Sequence, residues 1–286
     1  MEQSEDKNAY SGGINLISTV RHYYSVAACF ARLAIQRQLE YPIFLVSWLL
    51  MIPIQYFSGA WLLKIIIERF GTLNGWEFPQ LAFIYGLGLL SHGLMVVFFI
   101  NTWSIDYMVI EGGFDRLLLR PMSVFFQMIA SYVNFIGLID LMPGLIILIY
   151  GSHLVHMDWS VFNILKLILI VSGGVFIRAA LFICLGSISF WTKRSASLVG
   201  FTLTLLERTT MYPLNIYPIA LQMILTFLIP IGFISFYPAS EFLGKASGFH
   251  IPLSMALWTP VVGFICFMFS QFIFNIGMKK YESTGS

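Results

Sequence analysis

The sequence predicts an all-α integral membrane protein. It has six transmembrane helices, an interfacial (elbow) helix before them, and both termini in the cytoplasm. Three observations carry this. Of 286 residues, 58% are hydrophobic and only 10% charged, whereas a soluble domain carries about 25% charged residues. Mean hydropathy is +0.82, too apolar for a surface that faces water on every side. Six segments reach the roughly 20 apolar residues a span needs, and Lys and Arg are distributed unevenly between the loops that join them.

The first 13 residues, with Glu2, Glu5, Asp6 and Gly12-Gly13, are expected to form a disordered tail. They lack the basic start and early apolar run of a signal peptide. Residues 14–286 then form one transmembrane domain. In Ile14–Gln38, Arg21, Ser25, Arg32 and Gln36 fall within a stripe of roughly 60° at helical spacing. Leu16, Val20, Tyr23, Ala27, Phe30 and Ala34 lie largely away from it. This reads as an amphipathic helix on the inner membrane surface, ending where Pro42 turns the chain.

The spans are expected at about 41–67, 78–100, 124–150, 162–190, 216–236 and 251–277. Pro53, Pro143, Pro230 and Pro260 sit inside apolar segments and predict kinks or breaks. A barrel would instead alternate polar and apolar residues along short strands. Ser195–Leu206, ahead of Glu207-Arg208, reads as a second interfacial helix. With the N-terminus inside, Lys7, Arg21, Arg32, Arg37, Arg116, Arg120, Lys193, Arg194, Arg208, Lys279 and Lys280 face the cytoplasm. Only Lys64, Arg69, Lys166 and Lys245 lie outside, and Arg178 is within a span. Cytoplasmic termini require an even number of spans, in agreement with six.

Chemistry is sparse. No G-x-x-x-x-G-K-[ST] phosphate loop occurs, so ATP is not held in that way, and no G-x-S-x-G elbow is present. The net charge of +2 gives no reason to invoke nucleic acid. Cys29, Cys184 and Cys266 are far apart in apolar stretches and read as buried small hydrophobes. His153, His156 and Asp158 read as a polar outer loop, not a metal site. Within the spans, Asp140 and Arg178 are costly in hydrocarbon and must face protein or water. Their matched depth in antiparallel neighbours predicts a pair, read foremost as a structural clamp. Gln55, Gln127, Asn134, Gln222 and Gln271 line a path or bond helix to helix.

The loop between the second and third spans, residues 101–123, is the most informative. Asp106, Glu111, Asp115, Arg116 and Arg120 keep it out of lipid. Gly112-Gly113 ends one helix, Pro121 starts the next, and Phe114–Leu119 stands between as a short helix with charge and bulky apolar side chains together. Such a face needs something to pack on, and the mixture of acid and base favours a protein groove over the membrane surface.

At these residues the chain resembles the permeases of ABC-type 2 exporters, especially a bacterial subfamily of six-span permeases once described only as a domain of unknown function. Ile110-Glu-Gly-Gly-Phe-Asp-Arg-Leu-Leu-Leu-Arg-Pro121 is similar to the family's loop after the second span. Tyr212-Pro213 with Tyr217-Pro218 is similar to its approach to the fifth span, and Leu228–Ala239 to that span's ending. The resemblance implies a permease subunit in a bacterial cell membrane, paired with an identical or homologous permease and with two separately encoded ATPase subunits that hold ATP and Mg. This chain would need no cofactor and catalyse nothing. The N-terminal helix matches the family's elbow helix, and the Phe114–Leu119 helix its coupling helix. Glu111, Gly112, Gly113, Phe114, Asp115, Arg116, Leu117, Leu118 and Arg120 would form the coupling element, with Phe114 and Leu118 filling a groove on the ATPase. Substrate would leave the cytoplasm or inner leaflet. The competing readings are an ion-coupled secondary transporter using Asp140 and Arg178, for which no inverted repeat is found, and an intramembrane enzyme, for which clustered reactive groups are lacking.

Overall fold

A computed structural model describes residues 16–245 and 255–282. The expected N-terminal tail and the start of the sixth span, 251–254, lie outside them. Helices account for nearly all of the described chain, and no β-strand occurs among the described residues. Among the described residues, five helices are long and apolar enough to cross a membrane, or six if one bent pair counts as a span.

Helix α1 (Leu16–Glu40) stops at Tyr41, and Pro42 occupies the first turn of α2 (Pro42–Phe70), where its missing N–H costs nothing. Gly71, at φ 80°, ends α2 by donating its N–H to the Ile67 carbonyl. Glu77 and Gln80 cap α3 (Phe78–Phe99) reciprocally, satisfying donors the helix cannot. Helix α3 is buried on nearly every side, as befits the centre of a bundle.

A 3₁₀ segment (Ile100–Ser104) leads to α4 (Ile105–Ile110), α5 (Gly113–Leu118) and α6 (Val124–Ala130). After a break come α7 (Gly137–Leu154), α8 (Val161–Ser187), α9 (Ser189–Thr192) and α10 (Ala196–Met211). The rest is α11 (Ile219–Met223), α12 (Phe236–Phe242) and α13 (Met255–Met278). Helix α3 packs along both α7 and α8, and α8 along α13. In lipid no hydrophobic force drives helices together, so close backbone approach must do it. Glycines make that approach possible. Gly137, Gly144 and Gly151 recur every seven residues on α7 against α3, which presents Gly86 and Gly93. A Cβ on Gly86 would stand 2.7 Å from the Leu148 Cα, and one on Gly151 would stand 2.8 Å from the Phe83 nitrogen. Gly173 and Gly263 join α8 to α13 in the same way.

One expected span is corrected, and a break expected at Pro230 is observed. The third is interrupted at Ser131–Ile136, so only α7 is a candidate span. The break is held from α1: Gln38 donates to the Val133 carbonyl and to Asn134 Oδ1 (3.4 and 3.0 Å), and accepts from the Phe135 N–H. The fifth is not straight. Ile219–Leu228, ending in a π-helical turn, meets Ile231–Phe242 at 78°. Pro230, which has no N–H to continue the ladder, stands at the bend. Helix α10, expected as an interfacial helix at Ser195–Leu206, buries one face and leaves the other, with Phe201, Glu207 and Arg208, exposed. Val199, Thr202, Leu206, Thr209, Thr210 and Met211 are buried, and it packs on α3 and α8. Cys29 is exposed, not buried as expected, while Cys184 and Cys266 are half-buried.

Loops sort to two ends. At one, Phe114, Phe190, Phe274 and Tyr281 cluster. At the other, Asn74 bonds the Asn215 carbonyl, Lys245 bonds the Gly75 carbonyl, and Lys166 pairs with Glu241.

Candidate functional site

The loop between α3 and α6 folds as a short helix on an aromatic base. Gly112 takes φ 68°, a left-handed turn that suits glycine, and separates α4 from α5. The expected helix Phe114–Leu119 is observed as Gly113–Leu118, with Leu119 as its cap. Phe114 is fully buried. Its ring lies 5.4 Å from Phe190, 5.9 Å from Phe274 and 5.7 Å from Tyr281, so α5 is nailed to the ends of α9 and α13. This corrects the expectation that Phe114 projects outward.

Three hydrogen bonds fix the rest. Tyr281 donates to Asp115 Oδ1 at 2.9 Å, and Gln127 Nε2 donates to the Leu117 and Met122 carbonyls, both at 3.0 Å. Burial comes first, and then the bond to Asp115 and its negative charge, in pushing the Tyr281 hydroxyl up to about 12. What faces outward is Leu118, 53% exposed, and Leu119, 86% exposed. Glu111, Arg116 and Arg120 surround them and are exposed, while Gly112, Gly113, Asp115 and Leu117 are half-buried. Leu119, absent from the expected set, is thus the most prominent apolar group. Its place one residue beyond the helix gave no sequence signal.

The second candidate feature is a set of polar groups inside the bundle. Asp140, 6% exposed, accepts a hydrogen bond from Tyr56 of α2 at 2.9 Å. Arg178, 3% exposed, donates to Ser91 Oγ (3.0 Å), the Gly88 carbonyl (3.1 Å) and Thr210 Oγ1 (3.3 Å). The two charges form no ion pair. The physical reason is α3, which packs on both α7 and α8: Asp140 turns toward α2, and Arg178 toward α3 and α10.

Sequence reasoning missed the groups between them. A cavity of about 410 Å³ has walls that include Tyr56, His92, Asp140 and Glu207. A smaller one of about 220 Å³ adjoins it through Gln55, Tyr56, His92 and Glu207, and reaches Arg178. His92 sits between Tyr56 and Trp103, with ring centroids 6.4 and 6.3 Å away. A histidine in the middle of an apolar span was the available signal. Of the polar span residues, Gln55 lines both cavities. Gln127 and Gln222 instead satisfy backbone carbonyls. The Asn134 side chain, which also borders the larger cavity, bonds Gln38 and the Ile136 N–H.

No curated protein matches the sequence, and no solved structure matches it. A family profile described as ABC-2 family transporter protein matches residues 49–285. That range takes in α5, the broken third span, the bent pair and the smaller cavity, and all of the larger one but Phe44 and Trp48. The chain therefore belongs to the ABC-2 transporter family, as a multi-pass membrane permease of an ABC transporter.

Proposed function

We propose that this permease is half of an ATP-driven exporter. It pairs with an identical or homologous permease in a bacterial cell membrane and moves its substrate out of the cytoplasm or the inner leaflet. Two separate ATPase subunits hold ATP and Mg, and this chain supplies the path and the attachment. Both termini are cytoplasmic in this reading, which the bias of Lys and Arg supports. The contact of Tyr281 with Asp115 puts the residues just after α13 at the same end as α5. Helix α1 serves as the elbow at the inner surface.

The observation that carries the proposal is the form of α5. Phe114 is buried among rings of α9, α13 and Tyr281, while Leu118 and Leu119 are left in the open. An exposed apolar tip on a rigid base suits a docking element that passes motion into the spans. Burying one Leu on a partner contributes roughly 1.5–3 kcal/mol, whereas an exposed ion pair at the rim contributes at most about 1 kcal/mol. Leu118 and Leu119 therefore supply affinity, and Glu111, Arg116 and Arg120 supply orientation. The rival reading, an ion-coupled carrier, would work through a charge pair that Asp140 and Arg178 do not make.

The test is to express the chain with candidate ATPase subunits and purify it. An ATPase should be retained, and vesicles holding the complex should transport only with hydrolysable ATP. Retention of no ATPase, or transport driven by an ion gradient alone, overturns the proposal.

A further inference from the structure

We propose that the larger cavity, between α2, α3, α7 and α10, binds a hydrophobic organic cation, and that such cations are the class of molecule this permease moves; the second clause rests on the transport reading above. At about 410 Å³ the cavity is of the size that holds small molecules. Its acidic groups are Asp140 and Glu207, and no Lys or Arg lines it. Asp140 is buried, and only one of its oxygens is engaged, by Tyr56. A buried carboxylate with one oxygen free of protein donors favours a positive partner, which offsets the hydration the charged group has lost.

The other walls select among cations. Phe44 and Trp48, 5.8 Å apart and edge to face, come from α2, and Trp103 from the segment after α3. Together with Tyr56 they offer aromatic faces whose quadrupoles attract a cation and repel an anion. The same rings reward apolar contact, which a small hydrated metal ion cannot supply. A neutral molecule of equal shape would leave Asp140 uncompensated. Arg178 does not fill that role: it lines the adjoining chamber, with Arg208, and its guanidinium is engaged by Ser91, Gly88 and Thr210. Phe44 and Trp48 are exposed on the outer side of α2, so the cavity opens toward the region lipid occupies, the side from which an amphiphile arrives.

The experiment compares two ions of one shape and opposite charge, tetraphenylphosphonium and tetraphenylborate. The full chain in lipid nanodiscs is titrated with each, with empty nanodiscs subtracted. Tetraphenylphosphonium should bind saturably and tetraphenylborate should not exceed the lipid background. Asp140→Asn, which keeps an acceptor for Tyr56, should weaken cation binding by about tenfold, and Trp48→Ala and Glu207→Gln should weaken it too. Equal binding of the two ions, or unchanged binding by Asp140→Asn, overturns the proposal. Should Asp140→Asn fail to fold, as judged by its melting temperature, Glu207→Gln on the exposed face of α10 decides the matter in the same way. No ATPase is present in the titration. A permease that binds the cation yet retains no ATPase would separate failure of the transport reading from failure of this one.

Discussion

Tyr281 donates a hydrogen bond to Asp115 Oδ1 at 2.9 Å, joining residues 166 apart in the chain. The bond ties the segment after α13 to α5, the helix proposed to dock on the ATPase. It is also titratable. Burial and the bond to Asp115 push the Tyr281 hydroxyl up to about 12, above the ordinary tyrosine value. The folded state thus holds this proton more tightly than the unfolded chain does. Its contribution is fully present below pH about 10 and is lost as pH rises toward about 12. The melting temperature of the parent should fall more steeply than that of Tyr281→Phe across that window. At neutral pH Tyr281→Phe should cost about 1 kcal/mol. Parallel pH curves for the two would count against the bond.

The glycine seam between α3 and α7 makes a second prediction. Gly86→Ala and Gly151→Ala each put a methyl group within 3 Å of a facing backbone. Such overpacking costs about 1–3 kcal/mol. Gly200, on α10, has nothing within 4 Å of its would-be Cβ. Gly200→Ala should be neutral or stabilising by up to about 1 kcal/mol, from helix propensity alone. Thermal unfolding in one detergent compares all three, and equal losses would contradict the packing described.

The third prediction separates partners from neighbours. Asp140→Asn and Arg178→Gln should be additive within about 0.5 kcal/mol, since the two groups share no partner. Tyr56→Phe and Asp140→Ala should not be additive, because each removes one end of the same hydrogen bond. A pair of double-mutant cycles on thermal stability decides. Strong coupling between Asp140 and Arg178 would mean that the bundle packs differently.

These residues also show what a sequence can and cannot reveal. The helices of the bundle are legible because apolar runs of sufficient length have no other stable home. The matched depth expected of Asp140 and Arg178 counts residues along an unbroken third span, whereas Asp140 stands in the first turn of α7, just past the break, and Arg178 well inside α8. Their partners were not legible, because depth says nothing about which helix stands between, and α3 does. The breaks followed the same divide. Pro230 marked its own bend, whereas the interruption at Ser131–Ile136 depends on Gln38, 96 residues from Asn134. Within the loop between α3 and α6, a helix of six residues carries Phe114, Leu117 and Leu118 on several sides, so no periodicity could tell anchor from tip. Only the positions of Phe190, Phe274 and Tyr281 do that. Glu207 is visible as a charge beside an apolar run, but its place in a cavity wall depends on α2 and α7, which no local pattern reports.

The most direct test of the account lies at that tip. Leu118 and Leu119 are exposed and Phe114 is buried, so their substitutions should separate docking from stability. Phe114→Ala should lower thermal stability by about 3–5 kcal/mol. The double substitution Leu118→Ser with Leu119→Ser should leave the melting temperature within error of the parent. The decisive quantity is the amount of ATPase retained on the purified permease from membranes matched for permease content. The double variant should retain at least about tenfold less than the parent, the loss of even one buried Leu being sufficient. Retention at the parent level, with transport intact, would show that α5 does not couple this permease to its ATPase.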